Sequence, residues 1–252
     1  MLPPIRKENN GMHIKMILFD LDGTLLPMDQ DVFVKTYMGM LAEHLAPLGY
    51  APKAFFDAMW AGTGAMVKND GTKSNEDAFW NTFCQMIGKD ARVDMPRFEQ
   101  FYIEKFDQVQ GFCGYTPQAA QVIRFLKTKG LRTALATNPL FPGIATEKRI
   151  AWAGLSPDDF ELYTTYETER YCKPNPCYYR TVADRLGVKP EECLMVGNDI
   201  SDDMVAEALG MQVFLLTDCL INKDNVDISR YPQGGFDELI DYIDGLNQEN
   251  TI

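Results

Sequence analysis

The chain has 252 residues, 46% of them hydrophobic and 24% charged, and a formal net charge of −12. That is the composition of a globular chain able to bury a core, with room for one large domain or a domain and a smaller partner. The acidic balance argues against a nucleic-acid surface and against an anionic membrane surface, because both need a basic face. It leaves a small phosphorylated partner open, since a bound cation and one or two local cationic side chains outweigh the global charge at a site.

The opening residues, MLPPIRKENNGMH, contain no apolar core of a signal peptide, and no apolar stretch approaches the roughly 20 residues of a membrane span. Residues 1–13 read as a mobile tail, and the cytoplasm is the expected location. The six cysteines form no Cys-x-x-Cys pair, so they read as reduced thiols in a cytosolic setting.

Met16 to Phe19 is a short apolar run that stops at Asp20, the pattern of a strand buried on both faces. From about Asp29 to Asp107 the pattern is helical, with no convincing strand. Val32 to Leu48 carries Val32, Phe33, Thr36, Tyr37, Met40 and Leu41 at helical spacing, and Glu76 to Ile87 and Pro96 to Phe106 read alike. Between them, Ala61 to Lys73 holds Gly62, Gly64 and Gly71 with Lys68 and Lys73. It reads as a loop, either a solvated surface or an arm reaching a substrate.

Strand and helix patterns then alternate. Thr116-Pro117 caps a helix stopped by Gly130, and Leu131 to Ala136 is a strand ending at Thr137-Asn138. Pro176 to Leu186 is a helix closed by Gly187. Cys193 to Val196 leads into Gly197, Asn198 and Asp199. Ser201 to Leu209 is a helix ended by Gly210, and Val213 to Leu216 is a further strand. Such alternation predicts an α/β fold, a doubly wound parallel-sheet (Rossmann-like) core with right-handed crossovers. The all-helical block is predicted to be an inserted cap domain over residues 27–110, with the core formed by residues 1–26 and 111–252. Its linkers are Pro27-Met28-Asp29 and Gly111 to Gly114.

Ligands of a doubly wound sheet bind beyond the carboxyl ends of its strands. Four polar clusters sit there: Asp20-Leu21-Asp22-Gly23-Thr24, Thr137-Asn138, Lys173-Pro174, and Gly197-Asn198-Asp199-Ile200-Ser201-Asp202-Asp203. Alternation aims Asp20 and Asp22 off the strand end on one side, and Gly23 permits a tight turn beside a ligand. Taken singly, Thr137-Asn138 and Lys173-Pro174 are ordinary turn and surface chemistry; the ordered set gives them meaning.

The set resembles the haloacid dehalogenase-like superfamily of hydrolases, whose pattern is Asp-x-Asp-Gly-Thr, a Thr or Ser, a Lys, and an acidic pair at successive strand ends. The resemblance covers Lys15 to Leu26 and Gly111 to Leu216, and the helical block lies where one class of that family carries its cap. It implies a Mg²⁺-dependent phosphatase acting on a small phosphorylated metabolite through an aspartyl-phosphate intermediate. Asp20 is then the nucleophile, Asp22 the general acid and base, and Lys173 a second positive charge. Leu21 and Asp22 backbone groups, Thr137 and Asn138 would bind phosphate, with Lys68 and Lys73 reaching from the cap. Mg²⁺ would rest on the Asp20 carboxylate, the Asp22 carbonyl and Asp199, supported by Asp203, for which Asp202 competes. The motif departs from the family's usual Gly-Asp by having Asn198 between Gly197 and Asp199. A phosphomutase, a dehalogenase and a non-catalytic binding module are the alternatives. The second carboxylate, Asp22, speaks against a dehalogenase, and the intact Asp20, Lys173 and Asp199 against a binding module. Oligomeric state is not legible.

Overall fold

The computed structural model describes residues 14–248; the reading of residues 1–13 as a tail lies outside them. Five parallel strands, β1 (Met16–Phe19), β2 (Arg132–Leu135), β3 (Cys193–Gly197), β4 (Gln212–Leu216) and β5 (Gln233–Gly234), form one sheet in the order β2-β1-β3-β4-β5. The doubly wound α/β core is as the sequence predicts. The chain leaves β1 for one side, then crosses back to place β3 on the other, so the topological switch lies between β1 and β3. Phe19 pairs with both Leu135 and Val196, which brings the three strand ends level.

All four residues of β1 are fully buried, because the sheet is covered on both faces. Ile17, Phe19, Leu194, Val196, Phe214 and Leu216 meet Val122 and Leu126 of α5 (Pro117–Thr128) and Leu239 and Ile243 of α8 (Phe236–Gln248). Met16, Leu18, Met195, Val213 and Leu215 meet Tyr178 and Val182 of α7 (Pro176–Leu186). The two-residue alternation along each strand sorts these side chains between the faces.

Between β1 and α5 every regular element is helical: α1 (Gln30–Leu45), α2 (Pro52–Val67), α3 (Asn75–Ile87), α4 (Met95–Glu104) and short 3-10 turns, the last at Phe106–Phe112. Local sequence sets their starts. Asp29 caps α1 by accepting from the backbone of Asp31 and Val32, and Ser74 caps α3 by accepting from Asp77. Phe55, Trp80, Phe83, Phe98 and Phe101 fill the block's interior, continuous with the apolar face of α5 and α8. The segment read as a glycine loop is mostly helix, because α2 runs on through Gly62 and Gly64 to Val67. Gly62 lies so close to Phe79 that a side chain there would collide with the ring.

The block is tied down at two places. The linkers lie side by side, with a bridge between Met28 and Cys113 and the Gly114 amide donating to the Pro27 carbonyl at 2.7 Å. Far from them, the amides of Asn75 and Glu76 donate to the carbonyls of Glu169 and Tyr166, both at 2.8 Å. The Asn75 side chain, fully buried, accepts from Asn69 at 2.9 Å and donates toward the carbonyls of Pro139 and Tyr171 at 3.4 Å.

Truncating Asn75 leaves several buried polar groups without their partner. Asn75→Ala is therefore expected to destabilise the fold by about 1–3 kcal/mol, read as a lower urea midpoint; an unchanged midpoint contradicts the tie.

Candidate active site

The strand ends at the switch point enclose a cavity of about 280 Å³ whose walls include Asp20, Asp22, Thr137, Asn138, Asn198, Asp199, Asp202 and Asp203. The core motifs singled out in the sequence thus converge, although Leu21 turns its fully buried side chain into the core and offers only backbone. From the helical block, Gln30, Phe33 and Val34 of α1 form the opposite wall, and Lys223 stands exposed at the mouth.

Lys173 organises the centre. With 1% of its surface exposed, its Nζ donates to Asp20 Oδ1 at 2.8 Å and to Asp203 Oδ1 at 2.6 Å. Burial works against its charge, but the Asp20 and Asp203 carboxylates outweigh it and hold the ammonium well above the ordinary lysine value. Burial pushes the Asp203 carboxyl up, with Lys173 opposing. The other Asp20 oxygen lies 3.2 Å from Thr24 Oγ1, which is also 3.0 Å from Asn198 Oδ1. Two close approaches permit this. Gly23, with φ of +88°, leaves room for the Asn198 amide, and Gly197 leaves room for the Asp203 carboxylate.

Asp199 and Asp203 build the loop after β3. Asp199 Oδ1 accepts from the backbone of Ser201 and Asp202 at 2.7 and 3.0 Å, and Asp203 Oδ2 accepts from the Asp199 amide at 3.0 Å. These turns consume residues 200–203, so the helix expected from Ser201 begins only at Met204, as a 3-10 helix to Leu209. Asn138 donates to Asp202 Oδ2 at 3.0 Å, which places Asp202 on the Thr137–Asn138 side of the cavity rather than beside Lys173. Two tyrosines of α7 pin the frame: Tyr178 donates to the Thr137 carbonyl at 2.8 Å and Tyr179 to the Asp202 carbonyl at 2.5 Å.

Arg149 is the site residue that sequence reading missed. It lies on α6 (Gly143–Trp152), has no exposed surface, and pairs through its guanidinium with Asp22 Oδ2. Its guanidinium also stands 4.3 Å from the centre of the Phe141 ring. Burial raises the Asp22 carboxyl above its ordinary value; Arg149 opposes that and the Asp20 charge adds to it. Asp22 Oδ1 and Asn138 Oδ1 are buried without a hydrogen-bond partner, so the cavity presents oxygen atoms that want a donor or a cation. The signal was present: Arg149 follows Ala145 and Thr146 by four and three positions, on the buried stripe of its helix.

Lys68 and Lys73 are not brought to this cavity. They are exposed and line an outer hollow with Asn81 and Thr82. The extension of α2 and the tie between Asn75 and residues 166–172 hold that turn on the flank of the block.

Fold and site together define an α/β enzyme with its chemistry at the carboxyl edge of a parallel sheet. Within that class the chain belongs to the haloacid dehalogenase-like hydrolases, whose family model matches residues 14–210. A phosphoglycolate phosphatase of Rhodospirillum rubrum is 30% identical over 211 residues, covering 81% of this chain and 79% of its own. One of Colwellia psychrerythraea is 28% identical, covering 88% and 92%. Acyl-CoA dehydrogenase family member 10 of Mus musculus is 24% identical over 81% of this chain, which spans only 18% of that protein's length. Among solved structures, a 2-haloacid dehalogenase of Pseudomonas syringae superposes with a TM-score of 0.61 at 18% identity, and a phosphatase of Thermococcus onnurineus with 0.56 at 20%. Each covers 92% of this chain and 99% of its own; at these identities they show the shared fold.

The Asp22–Arg149 pair gives a test with a definite sign. Arg149→Met leaves the buried Asp22 carboxylate uncompensated, at a cost of up to about 3–5 kcal/mol where Asp22 is ionised in the folded protein. Losing the guanidinium raises the Asp22 carboxyl further in the folded mutant, so the electrostatic loss grows as pH rises and fades as pH falls to where Asp22 is protonated in both proteins. Urea denaturation of both proteins at about pH 7 and about pH 5 measures it; a pH-independent difference contradicts the pairing.

Proposed function

We propose that this chain is a Mg²⁺-dependent phosphatase that hydrolyses a small phosphate monoester through an aspartyl phosphate on Asp20. One observation carries the reading: a carboxylate at the switch point, fixed by Lys173 and Thr24, faces a cavity that also holds a second carboxylate, Asp22, and the polar side chains of Thr137 and Asn138. Asp20 attacks phosphorus, the phosphorus–oxygen bond to the alcohol breaks, and Asp22 protonates the departing oxygen. Water then attacks the acyl phosphate, giving its proton to Asp22 and releasing inorganic phosphate. Burial raises the Asp22 carboxyl, the direction a proton donor needs, and Arg149 holds it in place.

Charge balance calls for a cation. Five aspartates line the cavity, whereas Lys173 and Arg149 are engaged with three of them, Asp20, Asp203 and Asp22. A dianionic ester needs further positive charge there. The donors are all hard oxygens, which fits Mg²⁺. Among the described residues no three His, Cys, Asp or Glu side chains cluster as a metal cage. The ion would rest on Asp20, Asp199 and the Asp22 carbonyl, which now accepts from Gln30 at 3.2 Å. When bound, it would neutralise the phosphate and the nucleophile.

The helical block, residues 27–110, serves in this reading as the cap, because α1 closes the cavity from above. The phosphatase relatives support phosphate chemistry. Asp22 has no task as a proton donor in displacing a halide, which departs without a proton.

Asp20→Asn is expected to lower kcat on a generic aryl phosphate by about 10³-fold or more while circular dichroism stays unchanged. A chelator should abolish wild-type activity and Mg²⁺ restore it. Turnover by the folded mutant, or full activity in the chelator, would sink the mechanism.

A further inference from the structure

Beside the catalytic cavity lies a second one, of about 140 Å³, enclosed by the helical block and the segment after β2. Its walls include Tyr37, Met38, Met59, Trp80, Phe98 and Tyr166, and no Asp, Glu, Lys or Arg lines it. The hydroxyls of Tyr37 and Tyr102 are bonded to one another at 2.6 Å, and Trp80 Nε1 is buried without a hydrogen-bond partner, so the wall can offer a neutral guest a donor but offers a carboxylate no cation. Val34, Leu140 and Phe141 line both cavities. The apolar space is therefore next to the catalytic cavity across those three side chains, on the side where the Phe141 ring stacks on Arg149, the partner of Asp22.

Its size is informative. An apolar cavity of about 150 Å³ holds one benzene ring and stays dry without it. Its chemistry is informative too. A carboxylate placed there would be stripped of water with no cation to meet it, which costs heavily. A substrate such as 2-phosphoglycolate would have to turn its carboxylate away, toward Lys223 at the mouth of the catalytic cavity.

We propose that the leaving group of the true substrate is an uncharged, apolar alcohol of about one ring, seated in this cavity, so that the enzyme acts on phosphate esters of that class in preference to phosphorylated hydroxy acids. This rests on the phosphatase reading above and names its substrate class. Specificity then comes from the aromatic interior of the helical block rather than from its surface lysines.

The test compares specificity constants for 2-phenylethyl phosphate, ethyl phosphate and 2-phosphoglycolate, whose leaving groups are all alkoxides. Burial of the ring is expected to favour the first over the second by about tenfold or more, with 2-phosphoglycolate no better than ethyl phosphate. Met59→Trp, which narrows the cavity, should bring the first ratio toward one. Equal constants for the first two esters, or a preference for 2-phosphoglycolate, would overturn the proposal. Should none of the three be hydrolysed, the phosphatase reading fails on its own. Ligand-observed NMR with 2-phenylethanol and with glycolate then decides the cavity's chemistry: binding of the alcohol alone supports it, and absence of that binding, or binding of glycolate instead, overturns it.

Discussion

A lysine ammonium with almost no exposed surface, held between two aspartates, is the constraint around which this structure is arranged. Removing one member of such a group costs about 3–5 kcal/mol, because the remaining charge is left buried and uncompensated. Lys173 therefore fixes Asp20, at the end of β1, to Asp203, after β3, across the switch point of the sheet. Much of the surrounding geometry serves that contact. Gly197 has no side chain where the Asp203 carboxylate must lie, and Asp203 in turn holds the Asp199 amide. The tyrosines of α7, three turns of helix packed on one face of the sheet, reach over to hold the carbonyls of Thr137 and Asp202.

A second buried pair, Arg149 with Asp22, extends the same logic toward the helical block. Arg149 belongs to α6, which packs on α4 and on the 3-10 turn at Phe106–Phe112, and its guanidinium stacks on Phe141. Phe141 in turn contacts Phe33 and Tyr37 of α1, with ring centres 6.0 and 5.2 Å away. The carboxyl group proposed to move protons is thus positioned by a residue that touches the wall shared by the two cavities. In the proposed reading, chemistry and substrate selection meet at one short stretch of chain, residues 140–149.

The sequence made the core legible because its signals are local. β1, β3 and β4 are short apolar runs, buried on both faces, that end in polar turns. Thr116-Pro117 announces α5 by capping it. The aspartates and Thr137 announce the site because they stand at strand ends or in the turns that follow; Lys173 stands in the loop before α7 and is announced by its place in the ordered set. What was not legible depends on contacts distant in sequence. Arg149 looks like one charge among several in an amphipathic helix, and only its place on the buried stripe betrays it. The turn at residues 68–74 looked free to reach the site, but a single buried asparagine fixes it to the flank. Ser201 to Leu209 reads as helical, yet the Asp199 carboxylate accepts from the amides of Ser201 and Asp202 and delays the helix to Met204. β5, two residues long, has no periodicity to read.

The central claim, that Asp20 carries the phosphoryl group, is most directly tested by trapping. The wild-type enzyme is mixed with a phosphate ester that it turns over, quenched in acid within the first turnover, and reduced with borohydride, which converts an acyl phosphate to the alcohol. Peptide mass spectrometry should then find homoserine at position 20 and unmodified aspartate at positions 22, 199, 202 and 203. Reduction at any of those other positions, or none anywhere during active turnover across a range of quench times, would contradict the account.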